Sequence, residues 1–529
     1  MTDQDSGRLR EAAAYIAREV EGGGASSRHD LERLKKRAAR IYRLSRYVPN
    51  SAILSQLAPE TREAFDRMLQ VHPRRSASGI VVVTVFSAPF SCPHGTCVFC
   101  PGGPRAGTPQ SYLPESPGMK TALSVGFDPA LQARRSLSKY EANGHATDKV
   151  ETVIEGGTFI ALPHGYQEAF VKGVYEGLNG AQSGTLEEAQ LANESAPSRC
   201  VGLTLESKPD WCRPEDVDLM LRFGITRLEI GVQSLRDGTL ARSNRGHTAG
   251  DTVEAFRVAR DAGLKLTAHM MPGLPGATQA EDLEDLRALF GREDLRPDMT
   301  KIYPTLVVPG TALARELEAG LYRPYSLEEV VELLSDMKRF VPPWHRIMRI
   351  QREIPASEIA GGVRSGNLRQ LVLARAGEKG WGCRCIRCRE VALDEPAAME
   401  RPLEYCEERY AASGGLEVFG SYEHGRGGRM AAFVRLRLPS DRAHRPEMRG
   451  SAVVRELRVY GRQVRVGGRR PDAWQHRGLG ASLMEAAQKA AREDFGSSRL
   501  LVTSAVGTRG YYRRLGYARL GPYMAKDLR

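Results

Sequence analysis

Ser91-Cys92-Pro93-His94-Gly95-Thr96-Cys97-Val98-Phe99-Cys100-Pro101-Gly102-Gly103-Pro104 is the stretch that decides the fold. It offers three thiols in a C-x4-C-x2-C spacing, directly after the apolar run Gly79–Phe86. Three thiolates from one loop leave one corner of a four-iron cube without a protein ligand. An iron left open in this way binds S-adenosylmethionine and starts radical chemistry. A structural zinc site or unligated thiols would show the same spacing. Pro101 to Pro104 keep the loop irregular, as wrapping around a cluster requires.

Outward from this loop, six apolar, β-branched-rich runs alternate with helical patterns: Gly79–Phe86, Glu151–Phe159, Cys200–Ser207, Ile225–Ser234, Leu264–Gly273 and Met299–Val308. Amphipathic stretches lie between or after them at Tyr166–Leu178, Pro214–Phe223, Asp251–Ala262, Ala280–Phe290 and Leu327–Phe340. Strand–helix alternation predicts an α/β fold with a parallel sheet and right-handed crossovers. Six units are too few to close an eightfold barrel, so an open, partial (β/α)6 barrel is expected. Chemistry in such folds gathers where strands end. The cysteine loop stands at that end, as do Glu155-Gly156-Gly157-Thr158, Glu206, Gln233 and His269-Met270-Met271-Pro272-Gly273. Gly156 and Gly157 let a ligand approach the backbone closely, and Glu206 and Gln233 are placed to meet its polar groups. Lys301, on the sixth run, would assist hydrolysis, hold a phosphate or serve as a strand-end charge.

The 529 residues exceed what one core serves, and 41% hydrophobic with 26% charged residues is ordinary globular composition. No run of 18 apolar residues occurs and the first residues are acidic and polar, so neither a membrane span nor a secretory leader is expected and a cytoplasmic location is. Nine cysteines, six of them in two tight groups, suit metal binding in a reducing compartment. The formal net charge is +12. Arg33, Lys36, Arg37, Arg40 and Arg43 recur at three-to-four spacing, which puts them on one face of a helix. With Tyr42 and Tyr47 nearby, that face reads as a nucleic-acid contact; a solvated basic helix is the alternative.

Gly382-Cys383-Arg384-Cys385-Ile386-Arg387-Cys388 brings three more thiols together as C-x-C-x2-C. A closed zinc site needs four ligands, and Cys406 or His345 would supply the fourth. The last hundred-odd residues change character. Leu416–Tyr422, Met430–Leu438 and Ala452–Tyr460 read as strands, followed by Gln475-His476-Arg477-Gly478-Leu479-Gly480-Ala481 and a helical pattern to Phe495. A strand, Leu500–Ser504, and a helix containing Tyr511 and Tyr512 follow. A glycine-bearing loop that opens a helix exposes N–H groups to an anion such as a pyrophosphate.

With both halves in view, the chain resembles the catalytic subunit of Elongator in its bacterial or archaeal single-protein form, from about Lys35 to Arg529. The resemblance rests on Cys92–Pro104, on Asp148-Lys149-Val150-Glu151 leading into Gly156-Gly157-Thr158-Phe159, and on Lys301-Ile302-Tyr303-Pro304-Thr305. It rests equally on Arg455-Glu456-Leu457-Arg458-Val459-Tyr460-Gly461 and Gly507-Thr508-Arg509-Gly510-Tyr511-Tyr512. Together with the basic face and the second cysteine group, it predicts a basic tRNA-binding region at 1–75, a radical-SAM domain at 76–345, a zinc-bearing connector at 346–410 and a GNAT-type α+β acetyltransferase domain at 411–529. The implied activity is carboxymethylation at C5 of the wobble uridine of tRNA. A 5′-deoxyadenosyl radical takes hydrogen from the acetyl methyl group of acetyl-CoA, the carbon radical adds to C5, and the thioester is hydrolysed. The implied cofactors are a [4Fe-4S] cluster on Cys92, Cys97 and Cys100, S-adenosylmethionine, acetyl-CoA and zinc. The expected partners are tRNA, acetyl-CoA and an electron donor, and no obligate protein subunit is expected.

The resemblance also assigns Glu456, Leu457, Arg458, Val459, Leu479, Gly480, Ala481, Tyr511 and Tyr512 to acetyl-CoA, beside Gln475 and Gly478 of the anion loop. Tyr512 would reach the thioester or fill the helix–sheet seam. Lys149 matches a lysine tied to acetyl-CoA use, although it stands at the start of its strand, away from the cluster end. Two rival activities are a protein lysine acetyltransferase on an inert iron–sulfur scaffold and a tRNA-stimulated acetyl-CoA hydrolase.

Overall fold

A computed structural model describes residues 3–58, 65, 68–70, 79–391, 402–461, 464 and 478–528. The predicted strands form, and a seventh joins them. β1 (Val81–Phe86), β2 (Lys149–Glu155), β3 (Arg199–Ser207), β4 (Arg227–Gln233), β5 (Lys265–Met270), β6 (Met299–Ile302) and β7 (Arg346–Arg349) make one sheet in sequence order. Every pair in it is parallel. The expectation of six strands is therefore corrected to seven. β7 has only four residues, Arg346-Ile347-Met348-Arg349, with no apolar run to betray it, and it lies where the connector was expected to begin. Helices Pro129–Ala142, His164–Asn179, Pro214–Arg222, Ala249–Asp261, Gln279–Gly291 and Leu327–Met337 cover the sheet's outer face. Val83, Val150, Leu203, Leu228, Leu266 and Ile302, all fully buried, belong to the core between the layers.

The N-terminal region is a small helical unit. α1 (Asp3–Glu21), α2 (Arg28–Ile41) and α3 (Asn50–Leu54) bury Ala13, Ile16 and Val20 against Leu31, Leu34, Ala38 and Ile53. Ser27 caps α2 and Asp30 completes a reciprocal capping box. Arg33, Lys36, Arg37 and Arg40 are exposed on α2. Arg43 is not on the helix: α2 ends at Ile41, and Arg43 turns the chain with φ 51°.

A second seven-stranded sheet follows, with strands β8 (Glu404–Ala412), β9 (Gly415–Glu423), β10 (Met430–Leu438), β11 (Ser451–Val459), β12 (Arg499–Val502), β13 (Ala518–Leu520) and β14 (Tyr523–Asp527). Its order is β13-β14-β12-β11-β10-β9-β8, and β11–β12 is its parallel pair. Strands β8, β13 and β14 were not anticipated from sequence. The β11–β12 register runs from Ser451↔Arg499 to Val454↔Val502, after which Thr503 N still donates to Val454 O at 3.0 Å. β11 then continues to Val459 paired with β10 but no longer with β12, so β11 and β12 splay into a V. The helix Leu479–Lys489 starts beside that opening.

This second unit seats on the N-terminal mouth of the barrel. Arg455 on β11 reaches Asp298, just before β6, with Nη1–Oδ2 at 2.7 Å and Nη2–Oδ1 at 2.6 Å, while Leu266 N donates to the same carboxylate at 2.9 Å. Arg437 on β10 holds Asp261, at the end of helix Ala249–Asp261, with Nη2–Oδ1 at 2.5 Å, and Glu417 at 3.0 Å. All these groups are buried, so each charge lies beside its opposite.

Candidate active site

Two cavities open on opposite mouths of the same barrel. The upper one, about 160 Å³, lies under the cysteine loop at the C-terminal strand ends. Cys92, Cys97, Cys100, Gly157, Glu206, Gln233, His269 and Lys301 all line it, so the structure brings the predicted upper-site residues together. Gly156 is the exception. It has φ +143°, and a Cβ there would lie 2.1 Å from Ser87 Oγ, so its lack of a side chain serves packing against the end of β1. Gly157, at φ +82°, faces Cys92, whose sulfur would lie 3.5 Å from a Cβ at that position.

Burial governs the upper cavity's charges. Burial, and then the Glu206 carboxylate, push Glu155 up to about 8. Burial would raise Glu229 too, but Lys301 and then His269 hold it well below the usual carboxylate range. Lys301 Nζ pairs with Glu229 Oε2, and His269 Nε2 lies 3.0 Å from that same oxygen. Lys301 is thus ion-paired inside the upper site, away from the lower cavity. Glu206 Oε2 accepts from Tyr112 at 2.7 Å, and Gln233 Oε1 is buried with no hydrogen-bond partner. Gln233 holds φ +69°, a strained conformation of the kind found at ligand sites.

A tetrahedral zinc would hold thiolates about 3.8 Å apart, from a Zn–S bond of about 2.3 Å. Among the described residues, Cys383, Cys385 and Cys388 have sulfurs all within 4.8 Å of one another, whereas Cys92, Cys97 and Cys100 do not form such a group. A hydrogen bond from Cys100, together with Arg245 and His94, holds the Cys97 thiol well below its usual range. The connector trio has Lys338 beside it, 1% exposed, whose ammonium lacks a hydrogen-bond partner. Neither expected fourth ligand joins the trio. Cys406 sits on β8 and lines a separate cavity with Arg384, Arg389 and Glu423. His345 places Nδ1 2.8 Å from Pro297 O, and its Nε2 has no partner.

The lower cavity, about 410 Å³, lies between the barrel's N-terminal mouth and the splayed β11. Glu456, Leu457, Arg458, Val459, Gly478, Leu479, Gly480, Ala481, Tyr511 and Tyr512 line it from the second sheet, and Lys149 lines it from the barrel. Gln475 lies outside the described residues. Gly478 caps the helix with φ +87°, and a Cβ on Gly480 would lie 2.9 Å from Tyr511 Oη, so that glycine admits the phenol. Tyr512 is buried among the sheet–helix core residues as well as facing the cavity. Lys149 donates to Val464 O at 2.8 Å.

The position of Lys149 at its strand's start now has a reason: the second sheet docks on that side. Sequence reasoning missed three of its neighbours in the cavity, Glu151, Arg227 and Lys265. Their signal was present. Charged residues at alternate positions of buried parallel strands (Lys149, Glu151; Arg227, Glu229) mark the face lining a barrel. Burial lowers the pKa of both Lys149 and Lys265, so each gives up a proton more readily than a surface lysine.

Family profiles match in the same order as these units. The ELP3 N-terminal domain matches residues 9–77, the Radical SAM superfamily 89–289, the Radical_SAM C-terminal domain 297–377 and the Acetyltransferase (GNAT) domain 471–527. A Methanocaldococcus jannaschii protein named tRNA uridine(34) acetyltransferase is 39% identical, covering 99% of each chain. Human Elongator complex protein 3 is 41% identical over 94% of this chain and 93% of its own. The solved structure of Methanocaldococcus infernus Elp3 lacking its N-terminus superposes with a TM-score of 0.75 at 39% identity, covering 85% of this chain and 99% of that one. A barrel with a cysteine loop at its upper mouth and a splayed sheet at its lower thus carries the Radical SAM and GNAT matches of relatives aligned almost end to end, and the chain belongs to the Elongator complex protein 3 family.

Proposed function

We propose that the chain carboxymethylates C5 of the wobble uridine of tRNA, using S-adenosylmethionine in the upper cavity and acetyl-CoA in the lower. The observation that carries this reading is that both cavities belong to one barrel and share strands β2 to β5 as walls. The names of the archaeal relatives support the substrate class. Cys92, Cys97 and Cys100 hold the [4Fe-4S] cluster, which when bound supplies the electron that cleaves S-adenosylmethionine. Glu206, Gln233 and the backbone at Gly157 orient its polar groups. Glu456 to Val459 and Gly478 to Ala481 cradle acetyl-CoA, with Gln475 on the pyrophosphate. Lys149 and Lys265, depressed in pKa, sit where a thioester carbonyl would be polarised and a proton moved during its hydrolysis; Tyr512 bounds the acyl end. The exposed row Arg33, Lys36, Arg37 and Arg40, with Arg43 beyond the helix end, contacts tRNA phosphates. Cys383, Cys385 and Cys388 hold zinc. The working location is the cytoplasm, with an external one-electron donor and no obligate protein subunit; among the described residues no helix is long and apolar enough to cross a membrane.

The reading is tested by incubating the purified chain anaerobically with reductant, S-adenosylmethionine, carbon-labelled acetyl-CoA and tRNA. Label is expected in 5-carboxymethyluridine. Label on protein lysine would support an acetyltransferase instead, and label in free acetate alone a hydrolase. Cys97→Ala should abolish nucleoside label while leaving tRNA binding nearly intact.

A further inference from the structure

The segment Ser243-Asn244-Arg245-Gly246-His247, which follows the short helix Asp237–Arg242 beyond β4, clasps the cysteine loop along its length. Val98 N donates to Ser243 O at 3.2 Å, and Asn244 Nδ2 donates to Thr96 O at 2.9 Å. Arg245 Nη1 then donates to Cys97 Sγ at 3.4 Å, while its Nη2 donates to Gly231 O on β4 at 2.8 Å. His94 Nε2 lies 3.2 Å from the same sulfur. Two glycines exist to allow this. A Cβ on Gly231 would lie 2.9 Å from Arg245 Nη2, and one on Gly246, at φ +65°, would lie 2.7 Å from His94 Cβ. Arg245 is 6% exposed, has no carboxylate within salt-bridge distance among the described residues, and its Nε has no hydrogen-bond partner. A buried guanidinium with no acidic side chain to neutralise it needs negative charge from elsewhere.

We propose that Arg245 is a positioning residue that tunes the cluster held by Cys92, Cys97 and Cys100, its cationic fork fixing the Cys97 sulfur and stabilising the cluster's reduced form. The proposal rests on those three cysteines being the cluster's ligands. Reduction adds one electron and one negative charge to the cluster, and no bond to Arg245 forms or breaks. Hydrogen bonds and nearby charge at cluster sulfurs are what set such potentials. A cation 3.4 Å from a ligating sulfur therefore moves the couple toward reduction, and makes the electron easier to load from a weak donor.

The test uses the full chain, reconstituted anaerobically with iron and sulfide, as wild type, Arg245→Gln, Arg245→Lys and Asn244→Ala. Iron per chain is measured first, then the midpoint potential in a dithionite titration followed by electron paramagnetic resonance. At equal iron content, Arg245→Gln should be reduced about tenfold less favourably, a shift of about 59 mV to more negative potential for one electron. Asn244→Ala, which loosens the clasp without removing charge, should keep the wild-type potential. If the glutamine variant does not hold iron, Arg245→Lys decides. It keeps the charge but cannot bridge Gly231 and Cys97, and should shift the same way by a smaller amount. An unchanged potential in the iron-loaded variant overturns the assignment of Arg245 alone. A wild-type chain that takes up no iron overturns the ligand reading, and this inference with it.

Discussion

Arg227 and Glu229 lie two residues apart on β4 and approach to 3.6 Å (Nε to Oε1), yet Arg227 lines the lower cavity and Glu229 the upper. Residues i and i+2 of a strand share a face, so both point into the barrel. Glu151 pairs with Arg227 from below, and Lys301 and His269 pair with Glu229 from above. A row of buried ion pairs therefore runs up the barrel between the two cavities, with Arg227 at its centre. The Arg227 Nε and Glu229 Oε1 atoms both lack a hydrogen-bond partner, so this junction is the least saturated point of the row.

Removing that guanidinium takes the ion-pair partner from Glu151, while Glu229 keeps Lys301 and His269. Arg227→Met should lower stability by about 3–5 kcal/mol, the usual cost of breaking a buried pair by deleting one partner. Arg227→Lys should recover part of it. Chemical denaturation followed by far-UV circular dichroism measures both, and an Arg227→Met midpoint equal to wild type would contradict the buried-row description.

Asp282 makes a pH prediction. Its carboxylate accepts from Gly273 N at 2.7 Å and from Tyr325 at 2.8 Å, and so ties down the loop after β5 that borders the upper cavity. Burial pushes its pKa up to about 7, above the unfolded value of 3.8. A carboxyl raised in the folded state binds its proton more tightly there than when unfolded. Its contribution is therefore fully present below about pH 4 and is lost as pH rises through 7. Stability measured between those limits should fall less steeply in Asp282→Asn than in wild type.

The basic face of α2 gives a salt prediction. If about six phosphates are neutralised, log affinity for tRNA should fall with log salt at a slope of roughly −4 to −5. Replacing Arg37 and Arg40 by alanine should reduce that slope by about 1.5 and weaken different tRNAs alike, because phosphate contacts position without specifying sequence. Filter binding over a salt series measures it; a wild-type slope near zero would make the charge mere surface.

The two cysteine groups should separate under chelation. A strong zinc chelator should take the metal from Cys383, Cys385 and Cys388 and lower the melting temperature, while the iron content of the barrel stays unchanged. Cys385→Ser should do the same without chelator. Metal analysis before and after reads the outcome, and zinc uptake unaffected by Cys385→Ser would remove the trio from consideration.

Much of this arrangement was legible in the chain, for physical reasons that differ by element. Long β-branched runs bounded by glycine mark β1 to β5 because buried parallel strands must be apolar on the helix-facing side. The cysteine loop and the Gly478–Ala481 helix start are legible because ligand chemistry fixes both residue type and spacing. β7 and β13, with four and three residues, carry too little pattern to be seen. What sequence could not provide was the docking of the second sheet on the lower mouth. That contact depends on Arg455, Arg437, Asp298 and Asp261, which come together from positions far apart in the chain. Arg245 was passed over for the same reason, since only the fold carries it to Cys97.

The central claim is that the two mouths of one barrel serve one reaction, and deuterium reads it directly. The chain, reduced anaerobically with tRNA, S-adenosylmethionine and acetyl-CoA deuterated at the acetyl methyl group, should release 5′-deoxyadenosine carrying deuterium. 5′-Deoxyadenosine formed at the same rate but without deuterium would show that the upper cavity never meets the acetyl group, and would contradict the account.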